Sequence, residues 1–285
     1  MKRLLLITVL LGLVPLGNFA IAYEGTVPTK EKPRYISLAP STTEILFALG
    51  LDDEIVGVTL YCNYPPKAQT KELVGNFSRP NIEKIIYLKP DYIFCTGTEQ
   101  APVVTELKQL KLNFYVSNPL NFKELFNSIR DIAKVTHKDN QAEVLIKSIQ
   151  DEIEEVTRLV KLIPEKNRPK VFIEIWGNPL TTAGYGSFLD ELITLAGGIN
   201  IAYDTKKAHS IFSAEEVIRR NPDCIILTYM DKEKPRKLME KRLGWNNISA
   251  LKNNRVYSDI DHNVLLRAGP RTAEALKEIY RRLYP

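Results

Sequence analysis

The residues in this chain with side chains suited to catalysis or metal binding are few and widely spaced. Its 285 residues include three cysteines and three histidines: Cys62, Cys95, Cys224, His137, His209 and His262. Their spacings match no metal-binding motif, so we predict no zinc or manganese site and no metal ligands. Three cysteines allow at most one disulfide and leave at least one thiol free.

The motifs of common secreted enzymes are also missing from the sequence. Residues 184–187 (Gly-Tyr-Gly-Ser) lack the G-x-S-x-G form of a hydrolase nucleophile elbow. Neither a P-loop nor a G-x-G-x-x-G dinucleotide fingerprint occurs. We therefore predict no catalytic residues, and a secreted α/β enzyme is the remote alternative. Cys62 has two interpretations, as a reactive thiol or as the partner of Cys95 in a disulfide, because both cysteines follow predicted strands.

The first 22 residues have the pattern of a secretory signal peptide. Lys2 and Arg3 give a basic start, residues 4–16 are apolar, and Ala-Ile-Ala at 20–22 has the small-x-small form of a cleavage site. The apolar run is too short for a comfortable transmembrane helix, and no other stretch is long enough. We predict cleavage after Ala22 and export to the periplasm without stable membrane insertion.

The composition is that of a globular chain with room for two hydrophobic cores. It is 44% hydrophobic and 26% charged, with a formal net charge of +5. Lysines and arginines are interleaved with acidic residues, so no basic stripe is present for nucleic acid to bind.

Two segments of the chain are similar to each other. Residues 81–96 align without a gap with residues 213–228, which matches Glu83 with Glu215 and the Pro-Asp pair at 90–91 with the pair at 222–223. Each copy predicts a short capped helix, a turn at Pro-Asp and a buried strand. The repeat favours two related lobes.

A long amphipathic helix is predicted between the two copies. Apolar residues recur every three or four positions from 142 to 163, Pro164 ends the run, and the opposite face is charged. Such a helix spans about 34 Å, enough to contact two lobes at once. We predict a signal peptide at 1–22, an N-terminal lobe at 23–138, a connecting helix at 139–164 and a C-terminal lobe at 165–285.

Strands and helices alternate in both lobes, so each lobe is predicted to be a parallel α/β sheet. The first strand, near residues 35–38, runs directly into a helix. Ser41 and Glu44 have the S-x-x-E spacing of a capping box at the start of that helix. A strand that runs into a helix N-terminus is where α/β sheets place ligands.

Several strings in the chain resemble a known family. They are residues 37–50 (Ser-Leu-Ala-Pro-Ser-Thr-Thr-Glu-Ile-Leu-Phe-Ala-Leu-Gly), Tyr61, residues 64–66 (Tyr-Pro-Pro), residues 89–91 (Lys-Pro-Asp), residues 196–200 (Ala-Gly-Gly-Ile-Asn) and residues 267–271 (Arg-Ala-Gly-Pro-Arg). The chain resembles the helical-backbone class of ABC-transporter substrate-binding proteins, which take cobalamin, ferric siderophores or haem. Within that class it is most similar to the cobalamin-binding proteins of vitamin importers.

The resemblance covers nearly all of the mature chain and implies a fold and a partner. Two α/β lobes would be joined by a single long helix, with the ligand in the cleft between the lobes and little movement of one lobe against the other. The protein would be a monomer without a resident cofactor. Its partner would be the permease dimer, with its ATPase, of an ABC importer.

Eight ligand-binding residues follow from the resemblance: Tyr61, Phe77, Thr96, Gly97, Trp176, Tyr185, His209 and Arg267. Aromatic rings suit a corrin because they offer broad apolar contact. Phe77 and His209 stand where the cobalamin binders have tryptophans, which leaves a ferric siderophore or haem as the alternative ligand. His209 could contact a metal centre or lie in solvent, and Arg267 could bind the ligand or cap a turn.

The resemblance also implies that Glu83 and Glu215 dock onto the permease. Their matching positions in the repeat would present two similar charges to a twofold partner. The alternative is that each carboxylate only stabilises the N-terminus of its own helix.

Overall fold

Short buried strands alternate with amphipathic helices along the chain and build two sheets. The computed structural model describes residues 32–205, 207–229 and 235–285. Residues 33–285 form one compact unit. The predicted signal peptide lies outside the described residues. No helix in the described ranges has the length and apolar character needed to cross a bilayer.

The first lobe contains a five-stranded sheet whose strands are all parallel, in the order β3-β2-β1-β4-β5. Its strands are β1 (Tyr35–Ser37), β2 (Ile55–Val58), β3 (Glu72–Leu73), β4 (Tyr92–Thr96) and β5 (Phe114–Ser117). Its helices are α1 (Pro40–Ala48), α2 (Ile82–Tyr87), α3 (Ala101–Gln109) and α4 (Phe122–Thr136). A helix follows most of the strands, which is the arrangement that parallel pairing requires.

Helix α5 (Asp139–Val160) then leads to the second lobe. That lobe contains the strands β6 (Lys170–Gly177), β7 (Leu180–Thr182), β8 (Ile199–Asn200), β9 (Ser210–Ile211), β10 (Cys224–Leu227) and β11 (Val256–Tyr257). Its helices are α6 (Phe188–Leu195), α7 (Ala214–Arg220), α8 (Pro235–Glu240), α9 (Ser249–Lys252), α10 (His262–Leu266) and α11 (Thr272–Leu283).

The second sheet has the order β11-β10-β6-β7-β9, and β8 also pairs with β6. Strands β6, β8, β10 and β11 are parallel, whereas β7 is antiparallel to β6 and β9 is antiparallel to β7. The mixed sheet arises because β6 turns directly into β7 through residues 178 and 179, which is too short a connection for a parallel crossover. The prediction of two α/β lobes joined by one long helix is confirmed, but the second sheet is mixed and not wholly parallel as predicted.

The repeat predicted from the sequence is present as a repeated hydrogen-bond pattern. Asp91 binds the start of β1: its carboxylate accepts from the Arg34 N–H at 2.7 Å and its own N–H donates to the Arg34 carbonyl at 2.8 Å. Asp223 makes the same two bonds to Lys170 at the start of β6, at 2.9 and 2.8 Å. Each Pro-Asp turn therefore fixes the parallel pairing of two central strands.

Helix α5 packs against both lobes, since its buried face contacts α4 of the first lobe and α11 of the second. One hydrophobic cluster continues from Phe94 in the first sheet through Ile149 in α5 to Ile173 in the second sheet. Lys277 of α11 also forms ion pairs with Glu152 and Glu155 of α5. The helix is thus part of a continuous core as well as a connection between the lobes.

The predicted capping box at Ser41 and Glu44 is wrong. Helix α1 begins at Pro40, its N-cap residue is Ala39, and no side chain caps it. Glu44 lies in the second turn of the helix and is only 4% exposed, because it is paired with arginines of the second lobe.

The predicted disulfide between Cys62 and Cys95 is also wrong, since all three cysteines are free and buried. Neighbouring residues of a strand face opposite sides of a sheet. Cys95 therefore packs on one face of the first sheet with Ile93, whereas Cys62 packs with Phe94 on the other face. Burial raises the pKa of Cys95 to about 12 and also raises the pKa of Cys62, which argues against a reactive thiolate at either position.

Candidate ligand site between the lobes

A cavity of about 460 Å³ lies between the two lobes, within the size range of small-molecule sites. The first lobe contributes the junction of β1 and α1 at residues 39–41 and the segments that follow β4 and β5. The second lobe contributes the start of α6 and the segment of α10 at residues 262–268. The carboxyl ends of parallel strands in the first lobe meet here, as in other open α/β sheets.

Five of the eight predicted ligand-binding residues line this cavity: Tyr61, Phe77, Thr96, His209 and Arg267. The ring of Tyr61 is 58% exposed, so it is open to an incoming ligand. Gly97 is not a lining residue but lies close against one, because a Cβ at this position would be 2.7 Å from the side chain of Asn118.

Trp176 and Tyr185 are not among the lining residues. Trp176 lies near the end of β6, where it pairs with Thr181 of β7. Its indole N–H donates to the carbonyl of Asn178 at 2.9 Å, and its ring makes an edge contact with Tyr229 at 6.0 Å between centroids. Both Trp176 and Tyr185 are exposed on the second lobe.

The guanidinium of Arg267 forms hydrogen bonds to other groups of the protein. Nη1 donates to the carboxylate of Glu44 and to Oδ1 of Asn63, each at 2.9 Å. Nη2 donates to the carbonyl of Tyr61 at 3.0 Å and to Oδ1 of Asn263 at 2.6 Å. All four N–H groups on the two terminal nitrogens therefore have protein acceptors, one of which is the carboxylate of Glu44 that Arg271 also contacts.

Several polar lining residues were not predicted as site residues. They are Glu99, Ser117, Asn118, Ser187, His262 and Asn263. Asn118 directly follows β5, so the rule that ligands bind at strand ends would have found it. His262 begins α10, and its buried Nδ1 has no hydrogen-bond partner in the structure.

The charged groups that line the cavity are few. Among the described lining residues, the only carboxylate is Glu99 and the only arginine is Arg267. Within the described part of the chain, no group of three or more His, Cys, Asp or Glu residues is arranged to hold a metal ion. The site is thus suited to a ligand with a broad apolar surface and neutral hydrogen-bonding groups.

The two predicted docking residues occupy equivalent helices away from this cavity. Glu83 lies in the first turn of α2, which is capped by the Asn81 side chain, and Glu215 lies in the first turn of α7, which is capped by Ser213. Both carboxylates are exposed. The Ser213 hydroxyl donates to Glu215 and lowers the pKa of that carboxyl, which keeps it ionised.

One turn further along, the two helices differ. The fourth residue after Glu83 is Tyr87, which is 81% exposed. The fourth residue after Glu215 is Arg219, which forms an ion pair with Glu216.

Comparison with known proteins agrees with this geometry. The family model described as "Periplasmic binding protein" matches residues 36–261. The chain is 34% identical over 261 residues to an uncharacterized ABC transporter substrate-binding lipoprotein of Bacillus subtilis, an alignment that covers 90% of this chain and 81% of that protein.

Two solved structures are also similar. One is a possible iron-binding, periplasmic solute-binding protein from Staphylococcus epidermidis, with a TM-score of 0.79 and 28% identity, covering 90% of this chain and all of the other. The second is the periplasmic vitamin B12-binding protein of Vibrio cholerae, with a TM-score of 0.74 and 28% identity, covering 88% of this chain and 96% of the other.

Proposed function

The chain belongs to the periplasmic binding protein family, and on this premise we propose that it captures a cobalamin-like corrinoid and delivers it to the permease of an ABC importer. It is a substrate-binding protein for transport and not an enzyme. The proposal places the mature protein in the periplasm, as the predicted signal peptide requires. The ligand would lie in the cavity between the lobes.

The observation that carries the choice of ligand is the small number of charged groups among the described residues that line the cavity. Among the described lining residues, the one arginine has protein acceptors on both terminal nitrogens and pairs with Glu44. Haem carries two carboxylates, and many ferric siderophores are anionic, so both would have to compete for Arg267 with the protein acceptors that already bind it. A corrin ring carries neutral amides, which suit Asn118 and the hydroxyls of the wall.

Haem or a ferric chelate is the second candidate, favoured by the histidines. His209 and His262 both line the cavity, and a neutral imidazole is a good ligand for iron. The similarity to the possible iron-binding protein of Staphylococcus epidermidis agrees with this alternative.

Calorimetric titration tests the two candidates against each other. We expect one-to-one binding of cyanocobalamin and of cobinamide, with affinity that changes little between 50 mM and 500 mM salt because the ligand contacts are uncharged. Haem and a ferric catecholate siderophore should bind at least about 100-fold more weakly, the order of affinity lost when buried charge has no partner. Binding heat on titration with haem or the siderophore, and no binding heat with either corrinoid, would overturn the cobalamin proposal.

We also propose that Glu83 and Glu215 dock onto the permease. Removing both charges with Glu83→Gln and Glu215→Gln should leave the Kd for ligand unchanged, because both side chains lie away from the cavity, and should reduce ligand uptake by cells about tenfold or more. Glu143→Gln, on the exposed surface of α5, is the matched control. Uptake equal to wild type in the double variant would contradict the docking role.

A further inference from the structure

A buried ionic cluster joins the two lobes at one end of the cavity. Glu44 of α1 in the first lobe accepts from Arg267 Nη1 at 2.9 Å, and from Arg271 through Nε and Nη2, both also at 2.9 Å. The two arginines follow α10 in the second lobe, more than 220 residues later in the chain. The segment between them also lies close to α1, since a Cβ at Gly269 would be 3.5 Å from the carbonyl oxygen of Ser41.

The cluster is shielded from water and combines one carboxylate with two guanidinium groups. The side chain of Glu44 is 2% exposed, and those of Arg267 and Arg271 are 10% and 13% exposed. One carboxylate faces two guanidinium groups, and the second guanidinium lies 3.8 Å over the ring of Tyr64 in the first lobe. Pairing with Glu44 raises the pKa of Arg271 above its usual value.

The same cluster is hydrogen-bonded to residues in the wall of the cavity. Arg267 binds the carbonyl of Tyr61 and the side chain of Asn63. Tyr61, whose ring lines the cavity, is therefore tied to the second lobe although it belongs to the first.

We propose that Glu44, Arg267 and Arg271 form an interlobe clamp that sets the opening of the cleft and holds Tyr61 in position to meet ligand. Arg267 is then a positioning residue and not a ligand contact. The affinity part of this proposal rests on the proposed function, whereas the positioning of the lobes does not.

Other contacts also join the two lobes and would remain when the clamp is removed. The Glu191 carboxylate of α6 accepts from the Phe122 N–H of α4 at 2.7 Å. Phe122 also makes an edge contact with Phe188 at 5.1 Å between centroids. Because these contacts and α5 stay in place, loss of the clamp should open the cleft mainly on the Tyr61 side.

The test measures the distance between the lobes in the ligand-free protein. Nitroxide labels at Lys108→Cys in α3 and Lys252→Cys in α9, both at exposed positions, report this distance by pulsed electron resonance. The three native thiols are buried and should not be labelled. We expect Glu44→Gln to lengthen and broaden the distance distribution, because one neutral amide cannot hold two cations.

Glu143→Gln is the matched control, because it removes one carboxylate from an exposed pair with Arg130 on α4 and α5. Its distance distribution should equal that of wild type. A distribution for Glu44→Gln that also equals wild type would overturn the clamp, whatever the ligand proves to be.

A second variant separates the clamp from a general loss of folding. Arg267→Lys keeps a cation for Glu44 but loses the fork that binds the Tyr61 carbonyl. Arg271 still holds Glu44, so the lobe distance should stay near wild type while cyanocobalamin binds about tenfold more weakly. Wild-type affinity in Arg267→Lys would overturn the positioning of Tyr61. If the wild-type protein itself does not bind cyanocobalamin, only the proposed ligand is refuted.

Discussion

Replacing Tyr61 by alanine should weaken the binding of cyanocobalamin by about 30-fold or more, the loss typical of a central aromatic contact. The ring is largely exposed in the ligand-free protein, so its removal takes away ligand contact area without opening a hole in the core. Its backbone is already held by Arg267, so little ordering is needed when ligand binds. Calorimetry on the variant and on the wild type measures the change in Kd.

Two variants act as controls for the loss of the ring. Tyr61→Phe keeps the ring and should bind within about threefold of wild type, because most of the contact is apolar. Tyr87→Ala removes an equally large exposed ring on α2, outside the cavity, and should bind like wild type. Full affinity in Tyr61→Ala would show that the ligand does not meet the first lobe at this wall.

Replacing Glu174 by alanine should be the most destabilising single change considered, at about 3–5 kcal/mol of unfolding free energy. Glu174 lies in β6, and its side chain is completely buried. Its carboxylate accepts from Arg242 through both terminal nitrogens, at 2.6 and 2.7 Å, and from the hydroxyl of Tyr229. Alanine would leave a largely buried guanidinium without a counter-charge.

The melting temperature measures this loss and should fall by about 10 °C or more. Replacing both partners, Glu174→Met with Arg242→Met, should recover most of the fall, because apolar side chains of similar volume need no counter-charge. Glu143→Ala, which removes an exposed carboxylate, should leave the melting temperature unchanged. A fall in the double variant as large as in the single one would show that packing, and not the unpaired charge, causes the loss.

Local sequence signals predicted the parts of the fold that depend on neighbouring residues. The apolar spacing after residue 139 predicted α5 to within a few residues of its observed end at Val160. The repeat predicted a short capped helix and a buried strand in each copy, and both copies contain them. Backbone geometry of this kind is determined over a few residues.

The sequence could not show contacts between distant segments. Ser41 and Glu44 have the spacing of a capping box, yet the partners of Glu44 lie more than 220 residues later. Trp176 lies near the carboxyl end of a strand, as ligand-binding residues do, but it is not among the residues that line the cavity. The predicted disulfide is wrong because Cys62 and Cys95 pack on opposite faces of the first sheet. These faces are known only once the strands are paired.

The two repeated helices give the molecule a direction. Helices α2 and α7 each carry an exposed glutamate in the first turn. One turn later α2 has the exposed Tyr87, whereas α7 has Arg219, which forms an ion pair with Glu216. A partner with true twofold symmetry offers two identical surfaces, so it meets the acidic groups equally in either of two orientations related by half a turn. The tyrosine and the arginine exchange halves of the partner between the two orientations, which makes no difference while the two halves are identical. The two orientations are therefore unequal in energy as soon as the partner's own surroundings differ by a single bound subunit or ligand.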